Sequence, residues 1–553
     1  MERPITRLKQ GTYKGALLRA EYPQCLEAYY NIPYAQSTAG SNRFRPPVPI
    51  EPSNQSFDAS IWGQRPPAPP MGPAMEEEGE DCLNLNIFKP QGYSADSESR
   101  LPVMIMFNGG AFNMGSAKAR QISSMVGWSQ VPILGVSFNY RVGALGFLNC
   151  KVTEMAGCLN VGLKDQALLL AWVKENIAAF GGDPNQVCAV GYSAGAHSIG
   201  HHLLNPYKTR EPSFARAILE SGAPTARMVY PASAPINEIQ FRDFLEELDL
   251  GDIKDDNVIS VLQDLPFQRI RNASIAIFQK YSPSLRWPFQ PVIDGPGGII
   301  PIAPIRAWRS GHWFKVPIMT GFCTNEGSMF VPHDISSSKE FSSFFRTLLP
   351  SLSEPDYQAI DKLYPDPVSS SSNAQYKETR AGLGGQYRRI EAAYGQWAYI
   401  APIRQTCHLI SSSAEYTQNV PPVYLYEYGV IKADILGAKH SDHIHHTDYM
   451  PQVVNASSTN KQVSSNMHAY WTNFIATGDP NSKSQKRPFW EPYEEDRQGI
   501  GKKLVFGSGN NEIAGGNNRG MTTMMRSDEW ARTECEFWWE KVPIFEPEKT
   551  AKL

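Results

Sequence analysis

Across its 553 residues the chain has no apolar run of about 20 residues, the length that a membrane-spanning helix needs. Net charge is also scarce. Lys and Arg number 52 against 55 Asp and Glu, leaving −3. No basic footprint for nucleic acid or for an anionic membrane surface exists. Cysteine is thin as well: eight residues (Cys25, Cys82, Cys150, Cys158, Cys188, Cys323, Cys407 and Cys535) with no C-x-x-C spacing. That excludes a small disulfide scaffold and a thiolate zinc site. The first ten residues carry no apolar signal region. The sequons at Asn54, Asn272 and Asn455 therefore read as ordinary surface asparagines, and the chain is expected not to be secreted. It ends Ala551-Lys552-Leu553, close to the peroxisomal Ser-Lys-Leu address. The expectation is an intracellular protein, taken up by a peroxisomal import receptor or otherwise cytoplasmic.

What is present is a composition for a large core, 41% hydrophobic and 11% aromatic. Leu101–Phe107 and Ile133–Asn139 are apolar runs typical of buried parallel strands, and Glu80–Phe88 alternates with period two. Asp165–Phe180 has helical spacing and is stopped by Gly181-Gly182-Asp183-Pro184. Further strands are expected at 316–321 and 423–428. Alternating strands and helices imply an α/β fold: a large, mostly parallel central sheet flanked by helices. One domain is expected over 1–553. It carries a cap-like insertion at roughly 225–290 and a helical region at roughly 336–415, broken by a loop at Ser369–Ser372. Residues 46–79 and 507–518 read as loops, and 529–541 as a last helix.

The chemistry centres on Val187-Cys-Ala-Val190 followed by Gly191-Tyr192-Ser193-Ala194-Gly195 and a helix-like run to Leu204. A G-x-S-x-G turn between strand and helix is a nucleophile elbow, and it stands the Ser193 hydroxyl at the helix N-terminus. A hydroxyl needs a base, and the base needs an orienting acid. In chain order Ser, acid, His, the candidates are Ser193, Glu326 in Thr324-Asn-Glu-Gly327, and His440 in the loop past 423–428. The glycine turn Asn108-Gly109-Gly110-Ala111 after a buried strand supplies N–H groups. Gly110 and Ala111, with Ala194, form a candidate oxyanion hole. The stretch His440-Ser-Asp-His-Ile-His-His446 matches no zinc spacing, so neither metal nor cofactor is expected. His197, His201 and His202 read as packing or surface residues.

Several segments together resemble the type-B carboxylesterase/lipase family, the cholinesterase-like serine esterases of the α/β-hydrolase fold. They include Glu80-Asp-Cys-Leu-Asn-Leu-Asn86, Phe138-Asn-Tyr-Arg-Val-Gly143, Phe180-Gly-Gly-Asp-Pro184, Gly191–Ala196, Glu220-Ser-Gly222, Asn325-Glu-Gly327 and Gly437-Ala-Lys-His440. The resemblance implies that fold, with helical cap insertions. It implies Ser193 as acylated nucleophile, His440 as base and acid, Glu326 as orienting carboxylate, and Ser221 as a hydroxyl close to the triad. It aligns Leu285 and Trp287 with the acyl-pocket wall, and Phe112 lies beside the oxyanion loop. The chain departs from the family pattern in three places. Tyr192 stands where the family usually has Glu, and Ala111 where it has Gly. The usual partners of Cys82 and Cys535 are missing, with Ala401 in the second partner's place. The function implied is hydrolysis of a small, largely apolar ester or thioester through an acyl-enzyme. An acyltransferase or cyclase with the same triad, in natural-product tailoring or release, and an inactive scaffold on the same fold stay open.

Overall fold

In chain order the strands are β1 (Ile5–Leu8), β2 (Gly11–Lys14), β3 (Ala16–Leu18), β4 (Leu26–Pro33), β5 (Ser56–Asp58), β6 (Asn84–Pro90), β7 (Leu101–Phe107), β8 (Leu134–Phe138), β9 (Gly182–Tyr192), β10 (Arg216–Glu220), β11 (Ile318–Cys323), β12 (Val423–Tyr428), β13 (Lys502–Ser508) and β14 (Met521–Ser527). They come from a computed structural model that describes residues 3–69, 77–97, 99–206, 211–368, 374–413, 420–482 and 486–547. β1, β2 and β5 form a small sheet. The other eleven form one sheet in the order β14-β13-β12-β11-β10-β9-β7-β8-β6-β4-β3. Its centre, from β13 across to β8, is parallel throughout. β14 closes one edge antiparallel, and β6, β4 and β3 close the other.

The continuous apolar runs are the strands buried on both faces. Along β7, Val103, Ile105 and Phe107 pack into one core cluster, and Met104 and Met106 into a second. That is the period-two alternation of a strand covered on both sides. Helices cover each face. Ala194–Leu203 lies on the first, and Ser458–Thr477, with Trp471 and Phe474 buried, lies on the second. The expected helix before the elbow spans Val161–Asn176, continues as a 3-10 turn over Ile177–Phe180, and ends at Gly181 in the left-handed region at φ 84°.

The stretch 225–290 carries helices Pro235–Glu247, Val258–Asp264 and Phe267–Tyr281. The stretch 336–415 carries Ser338–Leu348, Glu354–Leu363, Tyr387–Gly395 and Ala401–Ser413. The expected loop at Ser369–Ser372 and the terminal Ala551-Lys552-Leu553 lie outside the described residues. One region differs from expectation. Residues 507–518 are not simply a loop before the last helix but the connection of a β13–β14 hairpin. β14 is an edge strand, part-buried or exposed along its length, so it lacks the alternation that marks a half-buried strand.

All eight cysteines are free. Cys535 accepts from the Arg404 guanidinium at 3.4 Å rather than meeting a second sulfur. Titration of the unfolded protein without reductant is expected to count eight thiols, and reductant is expected to leave Tm unchanged. A count of six or fewer would disprove the unpaired assignment.

Candidate active site

The C-terminal ends of β7, β9, β10, β11 and β12 converge, and each is followed by a residue singled out from the sequence. In open parallel sheets this is the end at which ligands bind. At β9 the chain turns through Ser193, with φ 53° and ψ −125°, directly into the helix Ala194–Leu203. A non-glycine residue in that region stores about 1–3 kcal/mol of strain, so the surroundings must enforce it. They do. The Ser193 N–H donates to Glu220 O at 2.9 Å, and the His197 N–H donates to Ser193 O at 3.0 Å. Gly195 passes so close to β7 that a Cβ there would lie 2.0 Å from Phe107 O. The two glycines of the motif are therefore a packing requirement as well as a pattern.

After β7, Gly110, Ala111 and Phe112 all have positive φ, at 120°, 54° and 60°. The carbonyls of this loop are occupied. The Asn113 and Met114 N–H groups donate to Gly110 O, and Asn113 Nδ2 and Gln290 Nε2 donate to Ala111 O at 2.8 and 2.9 Å. No hydrogen bond among the described residues engages the N–H of Gly110, Ala111 or Ala194. The loop is thus fixed through its acceptors, and its donors are left unused.

Glu326 follows β11 and is fully buried. Its Oε1 accepts from Ser221 Oγ and from the Cys323 N–H, both at 2.7 Å, and its Oε2 is hydrogen-bonded to His440 Nδ1. The two loops are tied by backbone as well: the Asn325 N–H donates to Ala438 O at 3.0 Å, and the Ala438 N–H to Asn325 Oδ1 at 3.1 Å. Using Nδ1 on Glu326 leaves Nε2 as the free nitrogen of the ring. Nε2 is buried and has no hydrogen-bond partner. No hydrogen bond joins it to Ser193, which is part-buried. In unliganded sites such contacts are often open and tighten only around substrate. The His440 ring is held by Tyr399, at 4.3 Å between centroids, and by Phe330 at 5.2 Å in an edge contact.

Beneath the elbow lies a second buried network. Arg120 donates to Glu220 Oε2 at 2.5 Å and to Asp448 Oδ1 at 2.8 Å, and Trp471 Nε1 donates to Glu220 Oε1 at 2.7 Å. Burial raises the Asp448 carboxyl to about 6, whereas Arg120 and His443 outweigh burial at Glu220 and bring it down to about 2. Tyr192 lies buried beside this network, its ring against Gly109, where a Cβ would come within 2.6 Å of Cε2. Burial pushes the Tyr192 phenol up to about 12, so this neighbour of the nucleophile is uncharged. Of the later histidines, His443 joins this network at 3.6 Å from Glu220 Oε1 and also meets Tyr426 OH and Cys323 Sγ, while His446 meets Tyr428 OH and Asn460.

The three wall residues fall on one side. Phe112 lies 6.3 Å from the His197 ring, which stacks on Tyr399. Trp287 meets Phe330 at 5.6 Å, and the Leu285 carbonyl accepts from Arg227 at 2.8 Å. His197, His201 and His202 are buried packing residues. Tyr399, Phe330, Arg227 and the Arg120 network went unnoticed in the sequence. Tyr399 sits on a π-helical turn, Gln396–Ile400, a local widening with no sequence signature here and one often found at functional sites.

A model described as the Carboxylesterase family matches residues 2–505. Secreted lipase 4 of Gibberella zeae is 29% identical, covering 98% of this chain and 92% of its own length. Inactive carboxylesterase-like protein VdtD of Byssochlamys spectabilis is also 29% identical, over 89% of this chain and 87% of its own. The crystal structure of Aspergillus niger EstA superposes with a TM-score of 0.81 at 26% identity, covering 99% of both chains. A secreted relative aligned over almost the whole chain overturns the expectation of an intracellular, non-secreted protein. The expectation rested on the polar first ten residues and on Ala551-Lys552-Leu553, and neither short segment outweighs a relative aligned over almost the whole chain.

Behind Glu326 the Glu391 carboxyl is raised to about 7, chiefly by burial, with the Asn325 amide at 3.5 Å opposing the shift. A carboxyl raised on folding binds its proton in the native state. The stability it contributes is full below the unfolded value and lost as pH rises towards the folded one. Glu391→Gln is expected to flatten the fall in Tm between about pH 4.5 and 7. An unchanged pH profile would refute the assignment.

Proposed function

The chain belongs to the carboxylesterase family and is a carboxylic-ester hydrolase, and on that premise we propose that it works through an acyl-enzyme on Ser193. Ser193 Oγ attacks the ester carbonyl while His440 Nε2 takes its proton. The tetrahedral oxyanion is held by the N–H groups of Gly110, Ala111 and Ala194. His440 then protonates the leaving alkoxide, and water repeats the cycle to release the acid. Glu326 fixes the histidine tautomer that keeps Nε2 free, and it stabilises the imidazolium formed when Nε2 takes the proton.

The observation that supports this most directly is the pairing of His440 Nδ1 with a buried carboxylate, which leaves Nε2 buried and unpartnered at the sheet end where Ser193 is strained. Three unused backbone donors converge on the same end, and each such donor is typically worth about 10²–10³ in rate. The aromatic wall of Phe112, Trp287, Phe330 and Tyr399 suits an ester that is largely apolar around the reacting carbonyl. One relative is named as inactive. Here the nucleophile, base and acid residues are all present, and this favours an active centre.

A fluorophosphonate probe is expected to label Ser193, with peptide mass spectrometry locating the adduct. Ser193→Ala is expected to abolish labelling and lower kcat on a nitrophenyl ester by more than about 10⁴-fold, in water with no acyl acceptor added. Labelling at another serine, or full activity in the variant, would rule the mechanism out.

A further inference from the structure

Arg227 is only 9% exposed, yet it has no carboxylate partner among the described residues. Its Nη1 donates to Tyr394 OH at 2.9 Å and its Nη2 to the Leu285 carbonyl at 2.8 Å. The Tyr399 phenol is a further acceptor, and the guanidinium lies 4.0 Å over the Trp287 ring. Every one of these neighbours is neutral. Other buried arginines differ. Arg43, Arg120 and Arg141 each hold a carboxylate within 2.6 Å. Arg216 also lacks one, but it begins β10, at the far end from the site, and is capped by the Gln186 amide and the Ile475 carbonyl.

An arginine cannot shed its charge. Burying it against neutral acceptors alone is unfavourable, and an apolar side chain of similar shape would usually be better tolerated there. The position of the charge is also specific. Tyr399, which shares a contact with Arg227, packs on the His440 ring at 4.3 Å, and Trp287 reaches the same ring through Phe330. Tyr192, next to Ser193, is a neutral phenol and adds no negative charge of its own.

We propose that Arg227 is a specificity-determining residue, binding a carboxylate carried by the ester substrate at a point removed from the scissile bond. This rests on the acyl-enzyme reading above. Ser193 Oγ bonds to the ester carbonyl carbon and the C–O bond to the alcohol breaks. The proton taken by His440 leaves on the alcohol, and water then releases the acid. The remote carboxylate is unchanged throughout and stays ionised against the guanidinium. With the carboxylate on the acyl half the product is a dicarboxylate, and with it on the alcohol half the product is a hydroxy acid.

The test compares kcat/KM for three sets of esters matched in length: monoethyl esters of glutaric and adipic acid, O-butanoyl ω-hydroxy acids with the carboxylate free, and the neutral counterparts of both with a methyl group in place of the carboxylate. Wild type is expected to prefer one anionic set over the neutral set by about tenfold or more, the usual worth of a hydrogen bond to a charged group. Arg227→Met is expected to bring the ratio of anionic to neutral kcat/KM down to about one, whatever loss the two sets share, and Arg227→Lys to restore part of the ratio. The anionic set that is preferred identifies the half that carries the carboxylate. A second measurement needs no variant: glutarate is expected to slow fluorophosphonate labelling of wild type, and glutaramide is not. Equal rates on anionic and neutral sets, or an Arg227→Met variant that loses both in proportion, would overturn the proposal and leave the hydrolase reading standing. Failure of the probe to label Ser193 would remove both.

Discussion

Glu326 is a fully buried carboxylate whose two oxygens receive a serine hydroxyl from the end of β10, a backbone N–H from the end of β11, and an imidazole from the loop after β12. Three neighbouring strand ends are thereby joined through one anion. Removing a partner from such a buried charge costs about 3–5 kcal/mol, a large share of the stability of a folded protein. The arrangement therefore constrains the structure around it. β10, β11 and β12 must keep their parallel register, and the Asn325–Ala438 hydrogen bonds must hold the two loops together. Ser221 must take its positive φ so that its hydroxyl turns back towards β11.

The end of β10 separates two buried acids close to Ser193. Glu220 is the last residue of the strand, and Ser221 leaves it with φ 51°, turning its hydroxyl away from the Glu220 carboxylate's partners. The Glu220 carboxylate goes to Arg120 and Trp471 on one side, and the Ser221 hydroxyl goes to Glu326 on the other. The Glu220 carbonyl, which lies in the plane of the sheet, receives the Ser193 N–H. One dipeptide thus anchors the elbow, orients the histidine through Glu326, and neutralises the second network beneath. The positive-φ residues Ser193, Ser221, Ala111 and Phe112 cluster here because this is where the scaffold is rigid enough to hold them.

Much of this was legible in the residues. The apolar runs at 101–107 and 133–139 had to be inner strands, and Gly191 to Gly195 had to be a tight turn, because no other structure fits such compositions between a buried strand and a helix. The order of Ser193, Glu326 and His440 placed three groups on loops that follow strands of one parallel sheet. The hidden parts have physical reasons. β14 presents an exposed edge, so its alternation is blurred. Tyr399 depends on a π-helical turn set by packing, not by local sequence. Arg120 meets Glu220 and Asp448 across separations of 100 and 328 residues, which no local pattern encodes. The inference that failed, from the first ten and last three residues to an intracellular home, read a destination from two short segments that the fold does not constrain.

Tyr192 brings no charge beside Ser193, and Arg227 brings a positive one against Tyr399, which packs on His440. Interactions between charges strengthen as water is excluded, so a single fixed charge in a closed, aromatic-walled site acts over the whole of it. Glu326 is met by three neutral donors, and on the proposed mechanism its charge finds a counter-charge only when His440 takes the proton. Glu220 is matched by Arg120. Tyr192 is neutral. The Arg227 guanidinium has no carboxylate partner among the described residues, and its phenol and tryptophan neighbours hold it in place without cancelling it. The oxyanion that forms during ester cleavage is negative, and so is every carboxylic acid released. On the proposed role of Arg227, its guanidinium favours both the charge that develops in the transition state and one that the substrate brings with it.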